Sequence, residues 1–134
     1  MVADLARGRV ARINPARNRI TARAPVPAAD WITASPDSLW ISSEQGKVFR
    51  LNPQTLAVEA VIPVGANPLA SAWIGGELWV PNIDDDTVSI VSPATNSVRM
   101  TLAVADGPIS VASAGGDVWI THEHGPLWRL PKTG

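Results

Sequence analysis

Leu39-Trp40-Ile41, Leu78-Trp79-Val80 and Val118-Trp119-Ile120 are three copies of one pattern, with their tryptophans 39 and 40 residues apart. A loop follows each copy, and then a second apolar run. These runs are Val48-Phe49-Arg50-Leu51-Asn52-Pro53, Val88-Ser89-Ile90-Val91-Ser92-Pro93 and Leu127-Trp128-Arg129-Leu130-Pro131. An earlier run, Val10-Ala11-Arg12-Ile13-Asn14-Pro15, has no complete Leu-Trp triplet before it. The prolines open Pro53-Gln54-Thr55, Pro93-Ala94-Thr95 and Pro131-Lys132-Thr133. Further apolar runs start at Val58 and Val98, and Gly65-Ala66-Asn67-Pro68 and Ala105-Asp106-Gly107-Pro108 close the period. Self-similarity at a fixed period of this length is the mark of a repeat architecture.

Each repeat divides into four short strands. The first (Asp30–Ala34, Leu69–Ile74 and Ile109–Ala114) is rich in Ala and Ser, as a crowded centre requires. Gly75-Gly76 and Gly115-Gly116, with Pro36-Asp37 in the same place, turn the chain into the second strand. That Leu-Trp strand is apolar on both faces, which suits a strand held between neighbouring sheets. Proline ends the third strand, because it presets φ for a turn and cannot extend the ladder. The fourth alternates, with Val98, Met100, Leu102 and Val104 on one face and Arg99, Thr101 and Ala103 on the other. The expected fold is therefore all-β: four-stranded antiparallel β-propeller blades of about 40 residues, an incomplete ring in one chain. Residues 1–134 read as one partial propeller domain: a partial blade at 1–26, blades at 27–64 and 65–104, and a partial blade at 105–134. Met1 falls at the tryptophan position, so the first blade is expected to lack its inner strand and the last its outer one. A blade face left uncovered would be an apolar patch. The partners expected are the remainder of a longer propeller or a second copy of the chain.

Composition narrows the function classes. The chain has 11 basic and 12 acidic residues, so no strong field draws it to nucleic acid or to a membrane surface. No apolar stretch is long enough to span a bilayer, and the opening residues 1–7 read as lacking the apolar core expected of a signal peptide. The absence of cysteine removes disulfides, thiolate catalysis and sulfur metal ligands. Six arginines (Arg7, Arg9, Arg12, Arg17, Arg19 and Arg23) crowd the start of the chain, either as an anion patch or as a solvated face and inter-blade contact. Phosphate loops, nucleophile elbows and H-E-x-x-H helices do not occur.

The repeat resembles the YVTN-type repeat of bacterial propellers, grouped with the lactonase-like and virginiamycin B lyase-like propellers. The resemblance implies blade packing more than any one activity. It also allows a periplasmic or extracellular setting, including the sensor part of a larger regulatory protein.

Candidate chemistry lies on the loops between second and third strands and on those joining blade to blade, which share one end of a propeller. The histidines His122 and His124 lie there with Glu123 between them, beside Glu44 and the run Asp84-Asp85-Asp86. In an extended segment, His-x-His sets both rings on one side, as a metal site needs. Asp84, Asp85, Asp86 and Glu44 are oxygen donors suited to magnesium or calcium, or else solvated turn residues. The lyase-like propellers use a histidine and a glutamate as acid and base beside a divalent cation. The resemblance thus makes His122, His124 and Glu123 the catalytic candidates. Two readings follow: a non-catalytic binding or scaffold module, and a metal-assisted lyase or lactonase-type enzyme. Trp40, Trp79 and Trp119 are expected in the core. Trp31, Trp73 and Trp128 do not repeat as tryptophan, and either fill gaps between blades or line a pocket.

Overall fold

The computed structural model describes residues 1–4 and 6–131, and these form strands and turns without a helix. The pattern Pro-Lys132-Thr133 lies partly outside the described residues. The first sheet holds β1 (Val2–Asp4), β2 (Arg9–Asn14) and β3 (Arg19–Pro25). The second holds β4 (Ala29–Ala34), β5 (Leu39–Ser43), β6 (Lys47–Leu51) and β7 (Val58–Pro63). The third holds β8 (Ala72–Ile74), β9 (Glu77–Asn82), β10 (Thr87–Ser92) and β11 (Ser97–Ala103), and the fourth β12 (Pro108–Ala114), β13 (Asp117–His122) and β14 (Trp128–Leu130). Within each sheet the described strands pair with their neighbours in sequence and antiparallel, so each sheet is a meander. These are β-propeller blades in an incomplete ring.

The register identifies equivalent positions. Val2 pairs with Ala11 as Ile41 pairs with Phe49, so β1 is a second strand and the first blade begins there. Trp40 pairs with Arg50, Trp79 with Ile90 and Trp119 with Arg129. The Gly-Gly turns fall as expected: Gly75 and Gly76 have φ of 58° and 82°, which a β-carbon would oppose.

Two expectations need correction. The inner strand of the third blade is regular only over Ala72–Ile74, not from Leu69. Its first residues bond in two directions: Leu69 N–H to the Pro81 carbonyl (2.9 Å) and Ala70 N–H to the Ile109 carbonyl of the next blade (3.2 Å). The second correction concerns the outer strand. A β-bulge between Ile90 and Val91 leaves Arg99 without a cross-strand partner, and Met100 turns to solvent while Val98 and Leu102 stay packed. The same shift occurs after Arg12 and after Arg50, so each described outer strand is sharply twisted by one inserted residue.

The core lies between blades. Val10, Ala24 and Val26 of the first blade pack on Ile41, Leu51 and Leu56 of the second. Trp40, Val48 and Ile62 meet Leu78, Val80 and Val91 at the next boundary, and Val88 meets Val111, Val118 and Ile120 at the last. Trp40 is fully buried, stacks on Trp73 at 5.9 Å, and carries the Arg50 guanidinium 4.7 Å above its ring. Each such aliphatic side chain contributes about 1.5–3 kcal/mol on burial, so neighbouring blades stabilise one another. Arginine completes two of these boundaries. Arg12 donates to the carbonyls of Pro53 (3.2 Å) and Gln54 (2.8 Å), and Arg50 to the Pro93 carbonyl and Asn96 Oδ1, both at 2.8 Å. Arg7 and Arg9 meanwhile bracket Asp4, so part of the basic cluster is structural.

Candidate functional site

The second-to-third-strand loops and the links between blades are zipped together at one end by their own backbones. Glu44 N–H bonds the Ala28 carbonyl at 3.0 Å, Ile83 N–H the Asn67 carbonyl at 3.2 Å, and Glu123 N–H the Gly107 carbonyl at 2.7 Å. All the sequence candidates therefore sit on a common face, but they do not converge.

Ser43, Asn82 and His122 occupy one repeat position, the last residue of the second strand in the last three blades, opposite Ala29, Pro68 and Pro108. All three are buried. Ser43 Oγ donates to the Pro27 carbonyl at 2.6 Å. Asn82 Nδ2 donates to Thr87 Oγ1 (3.1 Å) and Ser89 Oγ (3.0 Å). Gly65 passes so close that a β-carbon there would stand 2.6 Å from Asn82 Cγ, so a larger residue would have to displace the Asn82 and Asp85 side chains. His122 Nδ1 lies 2.8 Å from the Pro126 carbonyl, which can only accept, so Nδ1 is the donor there, and Nε2 has no hydrogen-bond partner. The ring leans on Trp128 with centroids 5.4 Å apart.

The expectation that His122 and His124 share one side is not met. The chain bends at residue 123, leaving His122 inside and His124 exposed. His124 Nε2 instead lies 3.8 Å from Glu123 Oε1, both side chains in solvent. The three aspartates separate as well. Asp85 accepts from Ala66 N–H (2.9 Å) and from the Thr87 hydroxyl, and Asp86, at φ 57°, accepts from Gly107 N–H (2.9 Å). These two carboxylates brace the links between blades. Only Asp84 and Glu44 share a cleft, of about 460 Å³, with Gln45, Gly46, Ala66 and Asn67. Among the described residues, no three His, Asp or Glu side chains gather as a metal-binding group.

A second cleft, of about 280 Å³, lies where the inner strands begin and is lined by Asp30, Trp31, Leu69, Ala70 and Ile109. Asp30, Leu69 and Ile109 are repeat equivalents, each following the residue that faces Ser43, Asn82 or His122. Register shifts beside Asp30 and Ile109 leave both outside the strand pairing. An acid thus replaces an apolar residue at one position of three. Burial, and then the charge of Glu44, push the Asp30 carboxyl up from 3.8 to about 6. Trp31, 46% exposed, forms the apolar wall, whereas Trp73 fills the gap beside Trp40 and Trp128 packs in the last boundary. Sequence reasoning did not single out Asp30. The signal was present as a carboxylate breaking an otherwise apolar column.

Five buried side-chain atoms without a hydrogen-bond partner are found among the described residues: Asp30 Oδ1, Ser42 Oγ, Asn67 Oδ1, Asn82 Oδ1 and His122 Nε2. All five belong to this end of the strands.

No protein-family model matches the chain, and no curated protein matches its sequence. Solved structures do match. Hydrazine synthase from Kuenenia stuttgartiensis is 28% identical, with a TM-score of 0.68 over 73% of this chain and 30% of that one. BamB from Moraxella catarrhalis is 14% identical, with a TM-score of 0.78 over 92% of this chain and 38% of that one. Dihydro-heme d1 dehydrogenase NirN, in complex with DHE, is 20% identical, with a TM-score of 0.75 over 95% of this chain and 31% of that one. The chain spans 30–38% of these three proteins, and the likeness is to their β-propeller fold.

Proposed function

We propose that this chain is a run of YVTN-type blades acting as a non-catalytic binding module, which takes a ligand or a protein surface at its loop end. The observation that carries the reading is the collection of unpartnered buried polar atoms at that end. Protein interiors seldom leave such atoms unmatched, because each costs about 1–3 kcal/mol. A bound polar group, or ordered water that it displaces, would satisfy them. The exposed indole of Trp31 beside Asp30, whose carboxyl is pushed up to about 6, adds an apolar wall and one adjustable charge, the usual make-up of a small-molecule cleft. The metal-assisted lyase or lactonase reading uses the same face, but it needs His122, His124 and an acid around one point, and the bend at Glu123 separates them.

The test is amide chemical-shift mapping of the chain against a library of small polar fragments. Shifts confined to residues 27–31, 42–46, 65–70, 82–86 and 105–109 are the expected result. Shifts confined to the opposite turns, at 35–38, 75–76, 94–96 and 115–116, would overturn the proposal.

A further inference from the structure

Arg129 occupies the position of Arg12 and Arg50: it pairs with Trp119 as Arg50 pairs with Trp40, and its guanidinium lies 5.8 Å from that indole. Arg12 and Arg50 both reach forward to carbonyls in the third-to-fourth-strand turn of the next blade. In the third blade the position is Ile90, so arginine is a choice made at particular boundaries. Among the described residues no further blade packs against Arg129, which holds Asp117 Oδ2 at 2.6 Å. Its apolar neighbours have changed environment too. Leu127, equivalent to the fully buried Val48 and Val88, is 60% exposed.

The opposite end of the chain shows the complementary change. Val2 and Ile13 stand where the second blade has Ile41 and Leu51, both fully buried, yet they are 46% and 37% exposed. The turn beyond Ile13 also repeats the one that Arg12 holds. Asn14 Oδ1 accepts from Ala16 and Arg17 N–H, as Asn52 Oδ1 accepts from Gln54 and Thr55 N–H. The carbonyls of Pro15 and Ala16 thus correspond to those of Pro53 and Gln54.

We infer that the fourth blade is a docking surface for the first blade of a second copy of this chain, joined head to tail, with Arg129 clasping the Pro15–Ala16 turn of the incoming copy. The contact continues the interface already built between blades, with Trp119 and Leu127 in the places of Trp40 and Val48. Val2 and Ile13 take those of Ile41 and Leu51. Because the two faces differ, the contact is heterologous, and two copies close on each other only if both junctions form.

The experiment uses the intact chain. Light scattering across a wide concentration range is expected to show self-association, and a monomer throughout would overturn the inference. Leu127→Asp and Ile13→Asp, both at exposed positions, should each weaken association about tenfold or more while retaining a cooperative melt. Mixing the two variants provides the decisive arm. One unaltered junction survives in the mixture, since Leu127 of one variant meets Ile13 of the other, so a mixed dimer should form more tightly than either variant alone. No recovery on mixing would mean that the copies meet like face to like face, or through another surface, and would overturn the head-to-tail arrangement. Arg129→Met should weaken association several-fold; no effect would remove the clasp.

Discussion

The two ends of the blades are made from the same strands but finished in different ways. At the turn end, polar groups are matched locally: Asn52 Oδ1 takes two backbone N–H groups, and Trp40 Nε1 donates to Ser35 Oγ. Arg50 ties Ser38 to the turn of the next blade. At the loop end, buried polar atoms remain without partners, a carboxyl is held near neutrality, and the repeat position shared by Ser43, Asn82 and His122 carries a different side chain in each blade. The turn end repeats one solution to a packing problem at two boundaries, where Arg12 and Arg50 reach the turn of the next blade. The loop end varies its chemistry over a backbone that the turn end keeps rigid. Binding surfaces are commonly built this way, on loops held by a regular frame.

Substitutions that break the contrast should do so in a definite order. Arg50→Ala removes three bonds and the cover over Trp40, and should lower stability by about 3 kcal/mol in urea denaturation. A loss under about 1 kcal/mol would mean that the turn end does not depend on this network. Ser43→Ala deletes a buried hydroxyl that donates to Pro27 and should cost about 1–2 kcal/mol. Asp30 gives the comparison a pH axis. With its folded value at about 6, above the ordinary 3.8, the unfolded chain ionises first as pH rises. Asp30 therefore penalises the fold progressively through that window and fully above it. Discounted for its partial exposure, the penalty is about 1 kcal/mol. Asp30→Asn should accordingly gain stability over the wild type between pH 4 and pH 7 by roughly that amount, and parallel pH profiles would refute the assignment. The smallest effect belongs to Ser42→Ala. Its hydroxyl has no partner, so its loss should be neutral or stabilising by up to about 1 kcal/mol. A clear destabilisation would show that Ser42 is bonded after all.

Much of the architecture was legible because it is periodic. Trp40, Trp79 and Trp119 set the second strand, the prolines end the third, and the Gly-Gly pairs place the inner turns. What periodicity hides is hydrogen-bond register. The bulges opposite Arg12, Arg50 and Ile90, and the diversion of Ala70 toward the next blade, depend on backbone pairing that side-chain alternation does not report. The site was legible only as a face. His122, Glu123, His124, Asp84, Asp85, Asp86 and Glu44 do share one end, but a bend of one residue decides which way a loop side chain points. Asp85 is claimed by the Thr87 hydroxyl and Ala66 N–H, and Asp86 by Gly107 N–H, pairings that residue type and spacing do not reveal. Asp30 is hidden in the sequence because the residues around it form a strand-like apolar pattern that reads as packing.

The serial order of the strands has a mechanical consequence. Among the described residues, every multi-stranded sheet is built from strands adjacent in sequence, with single bridges such as Ala70 to Ser110 joining neighbouring blades. Contacts so local in sequence favour rapid, piecewise formation, with each blade stabilised by the one beside it, as in other linear arrays. Pulled from its two termini, such a chain should unravel from its outermost blades inward, as a series of short steps and not a single rupture.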